Sequence, residues 1–491
     1  MLLRRAGDEW MFAHVLLAQP VYHSVLRKTR ETLHAQIVDF LQTRYPQRMA
    51  RDSALLADHQ RKARQTVPAI RSYLAASQAA MLQGSFADAE AHAKRALGLC
   101  PDIAKDIDPV DLEIECHTVL GSILMQVQGF TAEPVRAAFD AVHDIARAQP
   151  NLGAASAAAL YGSFTHAVLS GDRRKADEFT DLLARLADTM PDDDTGVEVR
   201  LAALTVGNGG GFYQGDFKTQ FNQIAQIRQH YQIEKHAAMI PRYGMDIFAT
   251  AQMFEAPARA ICGEVDKVAG LVAETDAHQD ALRIPVMLPY AMIWGAVPLF
   301  YAGRLDDALI RLRKGLTLAG EQGAAFWQIT GQTWQFVMDP NQSATPEGLA
   351  GFRDSVAIQR AIGANVGVPY FAACHAAALM RAGQVAEAYD VSSLAVREAR
   401  ESGLHCWYAE ILRIHADICR HHDQAAEAEA TTTLALEIAK RQGAALWSLR
   451  IKLDMIDSHD LAEVDLPATL AAFPAGADLP EMRRAQAVLA Q

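Results

Sequence analysis

The stretch that decides the fold of this chain is residues 69–99, AIRSYLAASQAAMLQGSFADAEAHAKRALGL. Small and apolar residues recur at helical spacing on both sides of a break at Gly84, which predicts two helices joined by a tight turn. The second helix carries Ala89, Ala93 and Ala96, residues small enough for two helices to cross closely. One such hairpin cannot bury its apolar face alone, so neighbouring copies must stack.

Further turns of the same kind follow along the chain, at Gly129, Gly171, Gly215, Gly263, Gly303 and Gly383. Their separations scatter around the roughly 34 to 40 residues of tetratricopeptide (TPR) units, and each glycine is expected to end a helix at positive φ. Apolar and polar residues do not alternate over strand-length runs, so almost no sheet is expected. The sequence therefore predicts an all-α fold, a right-handed α-solenoid of about nine or ten TPR-like hairpins.

The charge of the chain is distributed unevenly. Residues 1–71 hold twelve Lys and Arg against six Asp and Glu, whereas the remainder holds 34 basic and 52 acidic residues. Nucleic acids bind clustered positive charge, so the acidic repeat array is expected to have no nucleic-acid partner. The basic clusters at residues 27–30 and 61–64 could contact an acidic partner or a neighbouring domain, although a solvated helix face is the commoner explanation.

Cysteine usage and hydropathy point to a cytoplasmic protein. The six cysteines form no CxxC pair and no regular framework, which indicates free thiols in a reducing compartment. Residues 1–19 make a poor secretory signal because Asp8 and Glu9 interrupt their apolar run. Residues 284–303 carry no charge and could span a bilayer by length, but three prolines interrupt them and a repeat turn follows. They are expected to form a buried repeat helix, with no membrane partner.

Several short motifs point to a family. Those near the N terminus are Phe12, His14, Tyr22, Arg27, Arg30, Leu33 and His34, and those near the C terminus are Arg360, Gly363, Pro369, Tyr370, Phe371, Ala409, Glu410, Arg413, Gln442, Gly443, Leu449 and Arg450. Together they resemble bacterial signal-transduction ATPases of the STAND class, especially those that join a class III adenylate cyclase domain, a P-loop ATPase and a TPR tail. The resemblance implies that residues 1–45 are the remnant of a winged-helix end, residues 46–460 the repeat array and residues 461–491 a C-terminal cap.

The resemblance also assigns a place to His14, that of the histidine in a Met-His-Asp-like motif that senses nucleotide phosphates. An imidazole can donate a hydrogen bond to a phosphate oxygen. However, Val15 stands where switch-like members have Asp, and the chain has no GxxxxGK[ST] phosphate loop. We interpret His14 as a vestigial phosphate sensor, predict no cofactor, and expect the purified chain neither to hydrolyse ATP nor to make cyclic AMP.

Two further sequence features suggest ligand sites but have simpler explanations. The glycines at residues 207–211 lack the preceding strand and following acidic residue of a dinucleotide-binding loop, so we predict a weakened or broken repeat helix there.

A group of histidines and cysteines near the C terminus contains residue types that bind zinc. His415 and Cys419 share one helix face, but no second pair completes a tetrahedral set of ligands. We predict no metal site and, because no Ser-His-Asp arrangement stands out, no catalytic residue. The ligand types in question are His405, Cys406, His415, Cys419, His421 and His422.

These features together favour a non-catalytic regulatory scaffold that binds a protein or peptide in its concave groove. By resemblance, it would be the sensory tail of an adenylate cyclase or STAND ATPase, controlling an attached or separate ATPase domain. One alternative is a fragment of a cyclase or ATPase whose catalytic domains lie upstream. Another is a transcriptional regulator of the STAND class, which is disfavoured because residues 464–491 contain no basic recognition helix.

Overall fold

The computed structural model describes residues 3–6, 9–12, 15–147, 153–458 and 464–490. Within these ranges the regular secondary structure is helical except for a two-stranded hairpin, in which β1 (Leu3–Ala6) pairs antiparallel with β2 (Glu9–Phe12). The predicted all-α class is thus confirmed. His14 lies outside the described residues, so its role stays a prediction.

The helices follow one another along the chain with short connections. The first fourteen are α1 (Val15–Ser24), α2 (Arg27–Arg44), α3 (Pro46–Arg51), α4 (Ser53–Lys62), α5 (Thr66–Leu82), α6 (Phe86–Leu97), α7 (Val110–Gln128), α8 (Glu133–Arg147), α9 (Ala157–Leu169), α10 (Arg173–Thr189), α11 (Asp194–Gln214), α12 (Phe217–His230), α13 (Ile233–His236) and α14 (Ile240–Tyr243). The remainder are α15 (Ile247–Ile261), α16 (Val265–Leu282), α17 (Leu288–Tyr301), α18 (Leu305–Glu321), α19 (Ala325–Met338), α20 (Pro346–Ala361), α21 (Val368–Arg381), α22 (Val385–Ser402), α23 (Tyr408–His421), α24 (Ala425–Gln442), α25 (Ala445–Asp457), α26 (Leu466–Leu470) and α27 (Pro480–Leu489).

These helices belong to two compact units. One comprises residues 1–81 with 85–120, and the other comprises residues 82–84 with 121–491. Below they are called the N-terminal unit and the repeat unit. The domain boundaries expected from the sequence, near residues 45 and 460, stay predictions.

The turn inside most helical pairs is closed by a left-handed residue. Gly84 has φ +77°, and the N–H of the following Ser85 donates to the carbonyl of Ala80 over 2.9 Å. This 6→1 hydrogen bond satisfies a helix carbonyl that would otherwise lack a partner, and it requires a backbone conformation that glycine adopts freely. The predicted positive φ is confirmed at Gly129, Gly171, Gly215, Gly263, Gly303 and Gly383.

Small residues let the paired helices approach closely. Ala89, Ala93 and Ala96 on α6 are completely buried. The hydroxyl of Ser77 on α5 donates to the carbonyl of Ala89 over 2.7 Å, a distance that a larger side chain at the crossing would prevent. The alanine pattern of the sequence therefore marks the helix crossing, as predicted.

The glycines at residues 207–211 do not break a helix, and this prediction is wrong. They lie in α11, which continues without interruption from Asp194 to Gln214. A Cβ at Gly207 would lie 2.2 Å from the Gln223 amide, and one at Gly209 would lie 3.2 Å from the Phe254 ring. The glycines thus admit neighbouring side chains against the backbone, and this packing offsets their low helix propensity.

Most of the uncharged stretch at residues 284–303 forms α17 (Leu288–Tyr301), nearly all of whose residues are buried in the repeat unit. This confirms the prediction of a buried repeat helix. None of the helices in the described ranges combines the length and apolar character needed to cross a bilayer.

Within the repeat unit, turns far apart in sequence contact each other. Thr131 donates its hydroxyl to the carbonyl of Ile362 over 2.5 Å, and Asn365 donates its amide to the carbonyl of Ser170 over 3.2 Å. Further along, the N–H of Cys406 donates to the carbonyl of Tyr213 over 3.0 Å. Early repeats therefore pack on late ones, which a stack with nearest-neighbour contacts alone would not do.

Candidate ligand-binding cavity

Aromatic side chains fill the place where early and late repeats of the repeat unit meet. Trp334 on α19 is 1% exposed, and its ring centroid lies 5.2 Å from that of Phe371 and 6.1 Å from that of Trp294. Tyr370 stacks on Trp407 with 5.3 Å between centroids and 19° between planes. Trp407 in turn donates its indole N–H to the Tyr301 hydroxyl over 2.8 Å. These contacts connect helices that are far apart in sequence.

A cavity of about 90 Å³ remains among these rings. No charged side chain of the described residues lines it. Its aromatic lining consists of Phe130, Tyr161, Phe164, Tyr213, Phe254, Tyr290, Trp294, Phe326, Trp327, Trp334, Phe371 and Trp407. A largely apolar cavity with a few polar groups is the usual form of a small-ligand site.

The polar side chains on the cavity wall are neutral, and they comprise hydroxyls and the amide of Gln359. Thr250 donates its hydroxyl to the backbone carbonyl of Asp246 over 2.7 Å, and Thr205 does the same to Leu201 over 2.9 Å. Burial raises the pKa of the Tyr161 hydroxyl, so that side chain stays protonated at neutral pH. Because burying an unpaired charge here would be costly, the cavity suits an uncharged apolar group.

The sequence identified only part of this site. Five tryptophans of the C-terminal half fall at repeat helices in the sequence and are expected mostly in the interhelical core, with some lining the concave groove: Trp294, Trp327, Trp334, Trp407 and Trp447. The first four line the cavity, whereas Trp447 is buried and does not line it. The sequence did not identify Phe130, Tyr161 or Phe164, because their proximity to the late repeats depends on how far the repeat unit coils. Phe130 directly follows the turn at Gly129, whereas Tyr161 and Phe164 lie within α9, and no sequence feature marks them as lining residues.

Three charged residues of the C-terminal motifs noted in the sequence belong to a buried ionic cluster outside the cavity. Glu410 on α23 is 3% exposed and accepts hydrogen bonds from Arg413 Nε over 2.7 Å and from Arg450 Nη1 over 2.9 Å. Arg413 also donates to Asp454 over 2.6 Å, and Arg450 donates to Glu481 over 2.8 Å. Burial acts to raise the pKa of Glu410, but the two guanidinium groups outweigh it and hold that pKa below its ordinary value.

The predicted histidine and cysteine candidates are only partly brought together. The ligand atoms of His415, Cys419 and Glu427 lie within 4.8 Å of one another, whereas His405 stacks on Tyr408 elsewhere. His415 contacts Ser392 Oγ through Nδ1 over 2.8 Å and Glu427 through Nε2 over 3.2 Å, so both ring nitrogens already have partners. Burial raises the pKa of the Cys419 thiol to about 12, which favours a protonated thiol over a metal-binding thiolate.

We expect the purified chain to contain no stoichiometric zinc. A structural zinc site needs four protein ligands, whereas three candidate ligands, already hydrogen-bonded to one another, lie together here. Elemental analysis of the protein, purified without chelator, measures this directly. One zinc ion per chain that is lost in the His415→Ala, Cys419→Ala double variant would contradict the prediction.

No protein-family model matches the chain. A protein of Rhizobium meliloti (strain 1021), described as uncharacterized, is 22% identical over 467 residues, which cover 90% of this chain. The chain spans 43% of the length of that relative. The sequence similarity therefore identifies a longer relative but indicates no activity for this chain.

Among solved structures, the chain is similar to a Rap protein complexed with competence and sporulation factor. The TM-score is 0.55 at 10% identity, and the similarity covers 76% of this chain and 98% of the Rap chain. At this identity the comparison shows the fold alone, a helical repeat array. A circular tandem repeat protein with a TM-score of 0.15 at 12% identity, over 94% of this chain and 95% of its own, supports no structural argument.

Proposed function

We propose that this chain is a non-catalytic regulatory module that binds a protein or peptide, and that an uncharged apolar side chain of this ligand enters the aromatic cavity of the repeat unit. The observation that carries the proposal is the cavity itself, which has twelve aromatic side chains on its wall and no charged one among the described residues. Burying one apolar side chain in such a site contributes about 1.5 to 3 kcal/mol.

The position of the cavity supports a regulatory role. Phe130 and Phe164 come from the early repeats, whereas Trp334, Phe371 and Trp407 come from the late ones. A ligand held between them contacts both halves at once, so it binds the closed arrangement more tightly than an opened one. A ligand with such a preference shifts the population of conformations, which is how binding at one place controls another.

The comparisons and the sequence support the same class of function. The Rap protein, whose fold is similar, is complexed with competence and sporulation factor, which supports ligand binding by a helical repeat array of this kind. The motifs that resemble those of STAND ATPases and cyclase-linked proteins favour signal transduction, in which this module would control an attached or separate ATPase or cyclase domain. The relative of more than twice the length is consistent with a module that also occurs joined to other segments.

The proposal predicts saturable binding of apolar side chains. We expect N-acetyl-phenylalanine amide, but not N-acetyl-glutamate amide, to change the fluorescence of the tryptophans on the cavity wall. Thr330 also lines the cavity, so Thr330→Met should fill part of it and weaken the binding of the phenylalanine derivative by about tenfold, the loss of roughly 1.4 kcal/mol of contact energy.

A matched control uses the same substitution outside the cavity. Thr317 on α18 is exposed and outside the cavity, and its hydroxyl donates to the carbonyl of Arg313 over 3.1 Å. Thr317→Met should leave binding unchanged. Equal binding of the phenylalanine and glutamate derivatives, or equal affinity in the two variants, would refute the assignment of the cavity.

A further inference from the structure

The N-terminal unit contains a cleft, separate from the aromatic cavity, whose wall is dominated by cations. The cleft has a volume of about 360 Å³. Its charged lining residues are Arg27, Arg30, Glu31, Arg61, Lys62, Arg64 and Asp102. Five positive and two negative side chains thus face one concave space.

The two carboxylates do not neutralise this charge. Glu31 accepts from Arg27 Nε over 3.0 Å and from Arg64 Nε over 3.3 Å, so a single carboxylate is shared by two guanidinium groups. The guanidinium carbon of Arg30 lies 4.8 Å from the centroid of the Tyr22 ring, which fixes that side chain at the cleft. The arrangement holds several guanidinium groups in place around an excess of positive charge.

The backbone at Arg64 offers a way to test the cleft without destabilising the fold. Arg64 has φ +64°, and it occupies the turn between α4 and α5 at the place where Gly84 and Gly171 stand in later pairs. The 6→1 hydrogen bond is also the same, from the N–H of Gln65 to the carbonyl of Gln60 over 2.9 Å. A side chain in this conformation is strained, and glycine would remove the strain. Arginine therefore stands here at a position where later turns carry glycine, as it also does at Arg283, and its side chain lines the cleft.

We propose that this cleft binds a small polyanion, with a diphosphate group as its defining chemistry. Arginine presents planar pairs of N–H donors that match phosphate oxygens, and charge-assisted hydrogen bonds of this kind are the strong ones. The cations converge on a single cleft instead of forming a stripe, which favours a compact anion over an extended acidic peptide. The site lies in a different unit from the aromatic cavity, so it is independent of the proposed function.

The test is calorimetric titration of the full chain with inorganic pyrophosphate at low ionic strength. We expect saturable binding of one anion, weakening as salt is added. Arg64→Gly should weaken the affinity about tenfold through loss of one charge-assisted contact. Because the same change relieves backbone strain, the melting temperature should stay equal or rise, which separates loss of the site from loss of the fold.

A matched control is available in the repeat unit. Arg283 ends α16 at φ +54°, where the corresponding turns after α18 and α22 carry Gly323 and Gly403. Arg283→Gly removes the same charge and relieves the same type of strain, and it should leave pyrophosphate affinity unchanged.

Comparison of ligands distinguishes the source of the anion. If ADP binds as tightly as pyrophosphate, the site accepts a diphosphate that is part of a larger molecule. If ADP does not bind, the site is restricted to the free anion. Both results support the proposal. It is overturned if pyrophosphate does not bind at millimolar concentration, if Arg64→Gly and Arg283→Gly have equal effects, or if a hexaglutamate peptide binds more tightly than pyrophosphate.

Discussion

Glu410→Gln is expected to destabilise the repeat unit by about 3 to 5 kcal/mol, the usual cost of removing one partner from a buried ion pair. The substitution keeps the shape of the side chain but leaves Arg413 and Arg450 without the carboxylate that lies between them. Both arginines are largely buried, with 20% and 17% of their side chains exposed, so water cannot replace the missing charge. Urea unfolding of the variant measures the loss.

An exposed pair provides the control for Glu410→Gln. Glu133 and Arg136 form an ion pair on the surface of α8, with 70% of the Glu133 side chain exposed. Solvent and salt screen such pairs, so Glu133→Gln should leave the unfolding midpoint unchanged. Hydrogen exchange in Glu410→Gln should accelerate first in α23, α25 and α27, which carry the cluster. A loss below about 1 kcal/mol would contradict the prediction and would mean that Asp454 and Glu481, the remaining partners of the two arginines, compensate for the lost carboxylate.

Trp334→Ala should cost a similar amount, about 3 to 5 kcal/mol, because it empties a large, fully buried site. Unlike the loss of Glu410, its effect should spread along the chain. The indole contacts rings on α17 and α21 as well as Trp407, and the adjoining cavity is lined by residues of the early repeats. We therefore expect faster hydrogen exchange in α9 and α11 as well as in α19.

Chemical rescue sharpens this second prediction. The space left by Trp334→Ala has the shape of an indole ring, so added indole should bind there and restore part of the lost stability. Ile310→Ala removes a side chain that is 64% exposed on α18 and should change the free energy of unfolding by less than about 0.5 kcal/mol. Faster exchange confined to α18, α19 and α20 in Trp334→Ala would contradict the idea that the aromatic residues connect distant repeats.

The sequence predicted the fold well because its signals are local. Glycine at Gly84 and Gly171 reports a backbone conformation, and alanine at Ala89 and Ala93 reports a close helix crossing; each depends only on residues nearby. The same reasoning failed at residues 207–211, where helix propensity alone suggested a break. There the tertiary contacts of Gln223 and Phe254 with the glycines decide the outcome, and propensity is a weak guide against such packing.

The candidate sites were harder to predict for a physical reason. The cavity forms where Phe130 reaches Phe326, almost 200 residues later, and the distance between them depends on the pitch accumulated over several repeats. No single repeat encodes that pitch. Likewise, the basic residues near Arg30 and Arg64 were visible as two separate clusters, but only the packing of α2 with α4 places them around one cleft.

The contacts between distant turns also restrict how this protein can evolve. Thr131 meets Ile362 across 231 residues, and Arg173 donates to the carbonyl of Gly403 across 230 residues. Duplication or deletion of a single repeat between the two members of each pair would shift every later turn by one place. All of these contacts between distant turns would then be lost at once. Solenoids commonly gain and lose repeats, because each unit contacts only its neighbours. Here we expect homologues to vary in the sequences of their repeats while keeping the number of repeats between these turns fixed.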